Sequence, residues 1–374
     1  MLNIINVTSD KNIGGAGRCI LTFLKNYDRE KFNVKVVVPR GSALIPYIEQ
    51  TGTKFIEADG IADMSYSKEG TKSLKQILKQ EKPDLVHAHA SFSARIAAKM
   101  LRIPVIYTRH SVFPNPKNIT HGLGKLKNGL INNLTANKII AVANAAKDNL
   151  TEAGVSEKKI TVVKNGVDPV KKYTAEELEQ ARNFYGLTEE NFVFGMIARV
   201  EDIKGHDFFL EAAHTLRGKF PNARYFICGT GSYAKNVKQK INDLDLNDVV
   251  IYLGHVNDVT SVMNVINVNV NASYGTEATS LSLLEGMSLG KPIVASNYGG
   301  NPELVENSIN GMLFESKNKD ELADCMQKIM ENRDLYETLC EGAKKLYEEK
   351  YTSGIMTKNI ENVYFETLKR GRTK

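Results

Sequence analysis

Two glutamates eight positions apart, Glu277 and Glu285, are the strongest candidates for chemistry in this chain of 374 residues. They flank a loop followed by an apolar helical pattern, TEATSLSLLEGM, in which Ser280 has the position of an N-cap. The first helical amides, those of Leu281 and Ser282, would then lack intrahelical partners and lie at the positive end of the helix dipole. Such amides bind phosphate oxygens, so the segment predicts an anion site between two carboxylates.

The two glutamates are expected to differ in role because one precedes the helix and the other lies within it. Glu285 stands among leucines and a methionine, where a carboxylate needs hydrogen-bond donors to offset desolvation. A ribose diol supplies two donors. The alternative is that Glu285 faces solvent on an amphipathic helix.

A pair of cations follows another predicted strand, in the segment MIARVEDIKGH. Arg199 ends the strand, and Lys204 stands five residues later at the head of a helix. Together they could clamp a diphosphate and neutralise a phosphate leaving group. The alternative is an ordinary surface pair of cations.

A glycine-rich turn, KNIGGAGR, separates the first predicted strand from a helix expected to begin near Arg18. Gly14 and Gly15 in such a turn allow the backbone to approach an anionic ligand. A dinucleotide fingerprint is excluded because its third glycine would fall on Ile20. We therefore expect Gly14 and Gly15 to approach a donor or an acceptor.

Three histidines stand at the ends of predicted strands in the first half: His87, His89 and His110. The carboxyl ends of the strands are where an open α/β sheet places its ligand crevice. His110 is the strongest candidate and could orient a sugar hydroxyl or shuttle a proton. A purely structural histidine is the usual alternative.

No metal site is expected. Asp243 and Asp245 form a D-x-D, but they lie where a helix ends before a strand, which favours a solvated turn. The four cysteines lack metal-ligand spacing and are interpreted as buried or idle thiols.

Short β-branched runs alternate with helix-length segments throughout the chain. This alternation predicts parallel sheets covered by helices, and these elements would position the candidate residues. The fold class is therefore α/β with two Rossmann-like units, divided into residues 1–168 and 169–354. A helix over residues 355–372 leads into a basic tail. The predicted strands cover residues 2–7, 34–39, 54–58, 85–89, 105–108, 139–143 and 160–164, then 193–198, 225–228, 249–253, 268–272, 293–295 and 312–314.

Composition and charge restrict the class of protein and its surroundings. No apolar run approaches the length of a membrane span, and the N-terminus has no leader pattern, so a cytoplasmic protein is expected. The net charge of +6 is unevenly spread, with 25 Lys and Arg against 14 Asp and Glu in residues 1–168. This asymmetry suggests an anionic partner such as a membrane, a lipid phosphate or nucleic acid, or else simply a well-solvated surface.

One further segment bears on the partner. Residues 123–134, LGKLKNGLINNL, place four leucines on one helical face with lysines nearby. This face could dock on a membrane or an acceptor lipid, or pack in a core. Nucleic acid is disfavoured because the positive charge is diffuse and no recognition motif combines it with aromatic residues.

Taken in order, these motifs resemble the family 4 retaining glycosyltransferases of the GT-B fold. The E-x7-E of Glu277 and Glu285, the cations Arg199 and Lys204, and the early Gly-Gly turn carry the resemblance, together with NGVDP at residues 165–169 and NGMLF at residues 310–314. The usual E-G-F-G opening of the glutamate motif reads E-A-T-S here. That departure concerns Thr279 and Ser280 and could alter sugar specificity.

The resemblance implies two facing Rossmann-like domains, with the donor held by the second and the acceptor by the first. The helix within residues 355–374 would cross back onto the first domain. Glu277 matches the residue that contacts the donor sugar, Glu285 the ribose-binding residue, and His110 the histidine near the reacting sugar. Arg199 and Lys204 match the diphosphate-binding cations. Backbone contacts to the donor would come from residues 279–282, and no metal or other cofactor is expected.

The function expected from the resemblance is sugar transfer with retention from a nucleotide diphosphate donor, with a UDP-sugar favoured. The acceptor would be a glycan or a polyprenol-linked glycan of the cell envelope, at the inner face of the membrane. Two alternatives remain: a nucleotide-sugar epimerase on a similar scaffold, and a catalytically silent binding subunit.

Overall fold

A computed structural model describes residues 1–371, and within this range it contains two wholly parallel sheets. The first has the order β3-β2-β1-β4-β5-β6-β7 and the second the order β10-β9-β8-β11-β12-β13. The strands are β1 (Leu2–Thr8), β2 (Phe32–Pro39), β3 (Lys54–Ala58), β4 (Leu85–His89), β5 (Val105–Arg109), β6 (Lys138–Ala141), β7 (Ile160–Val162), β8 (Phe192–Ile197), β9 (Ala223–Cys228), β10 (Val250–Gly254), β11 (Val268–Asn271), β12 (Ile293–Ser296) and β13 (Gly311–Phe314).

Helices connect the strands, as parallel pairing requires. Those of the first sheet are α1 (Gly15–Asn26), α2 (Ile45–Gln50), α3 (Lys68–Glu81), α4 (Phe92–Met100), α5 (Lys117–Thr120), α6 (Gly122–Thr135) and α7 (Asn144–Glu152). Those of the second are α8 (Ala175–Phe184), α9 (His206–Arg217), α10 (Ala234–Asp243), α11 (Thr260–Val265), α12 (Leu281–Ser288), α13 (Asn301–Leu304), α14 (Lys319–Glu331) and α15 (Arg333–Lys350). The last helix is α16 (Ser353–Gly371).

The chain divides into two compact units. Unit 1 comprises residues 1–167 and the segment from Ser353 onward, and unit 2 comprises residues 168–352. These limits lie within two residues of the domain limits expected from the sequence. The returning helix α16 joins the core of unit 1, where Tyr364 packs edge-on against Phe23 and Phe32. The end of the expected basic tail, residues 372–374, lies outside the described residues.

The predicted strands are all present, and their ends differ from the predicted ends by at most two residues. The β-branched runs succeed as a signal because strands of a parallel sheet are covered on both faces. In β2, for example, Val36, Val37 and Val38 are fully buried.

One helix limit was wrong. Helix α1 begins at Gly15 rather than near Arg18, so the Gly-Gly pair supplies the N-cap and the first residue of the helix. A glycine pattern reads as a turn from sequence alone, but Gly14 at the N-cap is extended and Gly15 is already helical. Among residues 1–371, no helix has both the length and the apolar composition that crossing a bilayer would require.

Candidate functional site

The central feature of unit 2 is a buried ion pair between Lys204 and Glu277. Lys204 ends a short 3-10 turn after β8, and Glu277 lies in the loop between β11 and α12. The Lys204 Nζ lies 2.8 Å from Glu277 Oε2, and the two side chains are only 11% and 8% exposed. Both residues follow the carboxyl ends of adjacent parallel strands, where α/β sheets bind ligands.

Three donors hold one oxygen of the Glu277 carboxylate. Besides Lys204, Ser273 Oγ donates to Oε2 at 3.1 Å and Asn271 Nδ2 at 3.2 Å. These contacts offset the cost of burying a charge and fix the orientation of the carboxylate. Within the described residues, the other oxygen, Oε1, has no hydrogen-bond partner. A ligand hydroxyl could therefore donate to Oε1.

A second pair of glycines, Gly299 and Gly300, packs against the backbone of the Glu277 loop. The amide of Gly300 donates to the Glu277 carbonyl at 3.0 Å. A Cβ added at Gly300 would lie 1.7 Å from the Ala278 carbonyl oxygen, and one at Gly299 would lie 2.1 Å from that of Glu277. Gly299 also has a positive φ of 59°. Only glycine allows the chain after β12 to lie this close to the loop.

Helix α12 presents its N-terminus beside this loop. Ser280 is the N-cap residue, as predicted, but its side chain does not cap the helix and instead pairs with Ser282 Oγ at 3.1 Å. Asn269 of β11 donates to the Ser282 carbonyl at 2.8 Å and so anchors the first turn. Thr279 and Ser282 are half-buried and Leu281 is buried. The helix amides thus start where the sequence placed them.

Glu285 lies inside α12 and is only 6% exposed. The alternative of a solvent-facing glutamate on an amphipathic helix is therefore wrong. Its ribose-binding role stays a prediction.

Arg199 is placed differently from Lys204. It follows β8, and its side chain is exposed. Hydrogen bonds from Ser232, and more weakly the charge of Arg199, lower the pKa of the Glu201 carboxyl. The described contacts do not join Arg199 to Glu277, so the structure brings Lys204 and Glu277 together and leaves Arg199 as an exposed cation.

In unit 1, the half-buried His110 contacts a pair of buried histidines, His87 and His89, at the ends of β4 and β5. His89 Nδ1 lies 2.9 Å from His110 Nε2, and His89 Nε2 lies 2.9 Å from Asn6 Oδ1. His87 contacts Tyr364 OH at 2.8 Å and Thr108 Oγ1 at 2.6 Å. Together with Asn165 and apolar side chains, these histidines line a pocket of unit 1.

The contacts of His89 determine which nitrogen of His110 carries the proton. Because the amide oxygen of Asn6 only accepts, His89 Nε2 is the donor and His89 Nδ1 must accept. His110 Nε2–H then donates to His89, which leaves His110 Nδ1 without a proton. Within residues 1–371, that buried Nδ1 has no partner. It is suited to accept a hydrogen bond from a hydroxyl in the pocket.

Burial keeps these histidines neutral. It lowers the pKa of His110 to about 4 and that of His87, with a smaller effect of His110, to about 3. It also holds the pKa of His89 well below the usual value. A group with so low a pKa is a poor proton acceptor at neutral pH, so the geometry favours His110 as an orienting acceptor over a proton shuttle.

These depressed pKa values predict acid sensitivity. The histidines are neutral in the folded protein but take up protons when unfolded, so stability is present above pH 6.5 and is lost as the pH falls below it. Each histidine contributes at most about 1.4 kcal/mol for each pH unit below 6.5, and very little above it. Over the interval from pH 7.5 to 5.5, three histidines should therefore lower the free energy of unfolding of unit 1 by up to about 4 kcal/mol. Urea titrations at both pH values measure this. A His87→Phe variant should lose part of the slope, and an unchanged slope would contradict the explanation.

The Gly-Gly turn in unit 1 is open rather than packed. An added Cβ would meet no atom within 4 Å at Gly14 or Gly15, whereas at Gly17 it would lie 2.9 Å from Leu44 Cδ2. The first pair is therefore not required by packing, which leaves room for a ligand near the N-terminus of α1.

This difference gives a matched pair of variants. Gly15→Ala should change stability by less than about 1 kcal/mol, yet lower turnover by about tenfold or more if the turn approaches a substrate. Gly300→Ala should instead destabilise unit 2 by about 2 kcal/mol or more, because the methyl group meets a carbonyl oxygen. Thermal unfolding and steady-state rates separate the two effects. Full activity in Gly15→Ala would contradict a substrate contact at the turn.

The D-x-D motif of Asp243 and Asp245 lies where α10 ends, in an exposed turn. Asp243 ends α10, and Asp245 pairs with Arg217 at 3.0 Å in the turn that follows. Among the described residues, no group of three or more potential metal ligands is present. Cys19, Cys228 and Cys325 are buried and free, with pKa values raised by burial.

The fold and the site together define a two-unit parallel α/β protein of the GT-B class, in which a helix N-terminus lies beside a buried carboxylate. Comparison with known proteins agrees. Residues 13–171 match the model of glycosyltransferase family 4, and residues 178–346 match that of the group 1 glycosyl transferases. The chain belongs to this family of glycosyltransferases.

Relatives and solved structures show the same likeness. The chain is 27% identical over 86% of its length to an Escherichia coli UDP-Gal:alpha-D-GlcNAc-diphosphoundecaprenol alpha-1,3-galactosyltransferase, and covers 86% of that protein. It is 25% identical to the alpha-monoglucosyldiacylglycerol synthase of Acholeplasma laidlawii, with 79% of each chain covered. The crystal structure of Anabaena HepE with UDP-glucose superposes with a TM-score of 0.84 at 22% identity, covering 98% of this chain and all of HepE.

Sequence reasoning missed several residues that build the site. Asn271 and Ser273 hold Glu277, Gly299 and Gly300 position its loop, and Asn6 orients the histidine chain. Gly299 and Gly300 could have been found, because two consecutive glycines after a strand indicate a close approach of the backbone. Asn271 could not have been found in this way, because apolar and polar residues simply alternate in the strand VNVNAS.

Proposed function

We propose that this protein transfers a sugar from a UDP-sugar to a lipid-linked glycan or a related cell-envelope acceptor, with retention of anomeric configuration. The observation that carries the proposal is the buried Lys204–Glu277 pair beside the N-terminus of α12. It combines a fixed cation, an oriented carboxylate and unpartnered helix amides, as a sugar joined to a diphosphate requires.

The donor would be held by unit 2. Glu277 Oε1 would accept hydrogen bonds from the sugar hydroxyls, and Glu285 would hold the ribose. Lys204, Arg199 and the α12 amides would contact the diphosphate. Complexes of HepE with UDP and with UDP-glucose support UDP as the nucleotide.

In the reaction, the acceptor oxygen forms a bond to the anomeric carbon on the face that the diphosphate leaves. The bond from that carbon to the phosphate oxygen breaks, and the acceptor proton passes to the departing diphosphate. The transition state resembles an oxocarbenium ion, so the cations and helix amides stabilise charge on the leaving group. His110 Nδ1 would accept a hydrogen bond from a sugar hydroxyl and hold it in place.

The acceptor would be lipid-linked. The Escherichia coli relative acts on a diphosphoundecaprenol-linked sugar, and the Acholeplasma relative is a glycolipid synthase. The basic charge of residues 1–168 suits such an anionic acceptor.

The test is to incubate the protein with a panel of labelled nucleotide sugars and a cell lipid extract. Label from a UDP-sugar should move into the organic phase, and NMR of the product should show the anomeric configuration of the donor. Label that stays in the aqueous phase would overturn the lipid acceptor. Interconversion of the donor sugar without acceptor would favour an epimerase, and failure to bind any nucleotide would favour a silent binding subunit.

A further inference from the structure

Helix α6 turns its apolar face toward solvent. Leu123, Leu126, Leu130 and Leu134 are 85%, 69%, 59% and 65% exposed. Their spacing places all four within one narrow stripe of the helix surface. Core packing, one of the roles considered for this segment, is therefore wrong for these leucines.

The opposite face of α6 is small and polar, and it is the face that packs on unit 1. Asn128 Nδ2 donates to the Ala153 carbonyl at 2.6 Å, and Asn132 Oδ1 accepts from the buried Arg95 at 2.9 Å. Asn133 Oδ1 accepts from the Ser156 amide at 3.1 Å. The polarity of the helix is thus the reverse of that usual for a surface helix, which buries its apolar side.

The helix cannot roll to bury its leucines. A Cβ at Gly129 would lie only 2.1 Å from the Gly154 carbonyl oxygen, so this face fits closely against the loop after α7. Rolling would also leave the buried guanidinium of Arg95 without Asn132. The stripe is therefore a fixed apolar surface, and such contiguous patches mark interaction sites.

The surrounding charge indicates the kind of partner. Residues 85–147 contain nine Lys and Arg and not one Asp or Glu. Lys127 is exposed and lies beside the leucines on the same side of α6. An apolar stripe with an exposed lysine beside it, on a helix that itself carries no carboxylate, matches the headgroup region of a bilayer that contains anionic lipids.

A second copy of the chain fits this surface poorly. A two-fold interface would set the stripe against itself and bring Lys127 of the two copies together, with no carboxylate on α6 to pair with it. Specific interfaces also involve some 20–30 residues on each side, far more than one stripe offers.

We propose that α6 docks this protein on an anionic lipid bilayer, lying in the membrane plane with the four leucines inserted among the acyl chains and Lys127 at the headgroups. This contact needs neither donor nor acceptor. It is therefore independent of the proposed transfer reaction and can be tested separately.

The experiment measures binding of the full chain to vesicles by co-sedimentation, without substrates. Wild type should bind phosphatidylglycerol-containing vesicles, and bind pure phosphatidylcholine vesicles more weakly. A Leu126→Gln/Leu130→Gln variant should lose at least about tenfold in partitioning, because two leucines no longer insert. Lys127→Gln should weaken only the binding that depends on anionic lipid.

Controls keep the result specific to α6. Phe184→Gln removes an apolar side chain that is 82% exposed on α8 and should leave vesicle binding unchanged. Circular dichroism should show the same fold in all variants, since every substituted side chain is exposed. The proposal is overturned if wild type binds neither vesicle, if the leucine variant binds as wild type does, or if the leucines prove to mediate self-association in solution without affecting lipid binding.

Discussion

Replacing Glu277 with glutamine should leave unit 2 folded and lower turnover by about 30- to 1000-fold, since removing one such electrostatic contact costs roughly 2 to 4 kcal/mol. The amide oxygen of the new side chain must stay with Lys204, because the ammonium group needs an acceptor. The NH2 group then occupies the position of Oε1. A group that accepted hydroxyl protons is thus replaced by one that donates, while the packing is preserved.

The measurement compares turnover with the active nucleotide sugar, UDP affinity by calorimetry and thermal unfolding. UDP affinity should change little, because Glu277 is assigned to the sugar and not to the nucleotide. Glu179→Gln on the exposed face of α8 is a matched control and should retain full activity. Wild-type turnover in Glu277→Gln would refute the assigned role.

The fold and the placement of Glu277 could be predicted from the sequence for one physical reason. Parallel strands are buried on both faces, so each appears as a continuous apolar run, and each loop after a strand then lies at the same edge of its sheet. Knowing that Lys204 and Glu277 follow strands was enough to expect them at one edge. Their distance and their burial required the structure.

Other features depend on contacts between distant segments and left little trace in the sequence. The leucine spacing in α6 predicted one apolar face but could not show whether that face is buried or exposed. The outcome depends on which side of α6 packs on unit 1, and that is the side of Gly129, which fits against Gly154. In the same way, the assignment of a free Nδ1 to His110 depends on Asn6, which is about a hundred positions away. Hydrophobic periodicity predicts a helix and its apolar face, but it does not predict which residues of other segments contact that helix.

Replacing Lys204 with methionine should lower the free energy of unfolding of unit 2 by about 3 to 5 kcal/mol. The carboxylate of Glu277 would remain buried with only Ser273 and Asn271 as donors. Hydrogen exchange of β11 amides, read with urea unfolding, reports the stability of unit 2. Arg333→Met, which breaks an exposed pair with Glu337, should cost less than about 1 kcal/mol.

The double variant Lys204→Met/Glu277→Gln separates two contributions to this loss of stability. One is the loss of the contact itself, and the other is the cost of leaving the Glu277 carboxylate buried without its cation. The double variant should recover part of the loss, because a neutral amide is far less costly to bury than an unpaired carboxylate. A double variant no more stable than Lys204→Met would mean that Lys204 acts through packing rather than through its charge.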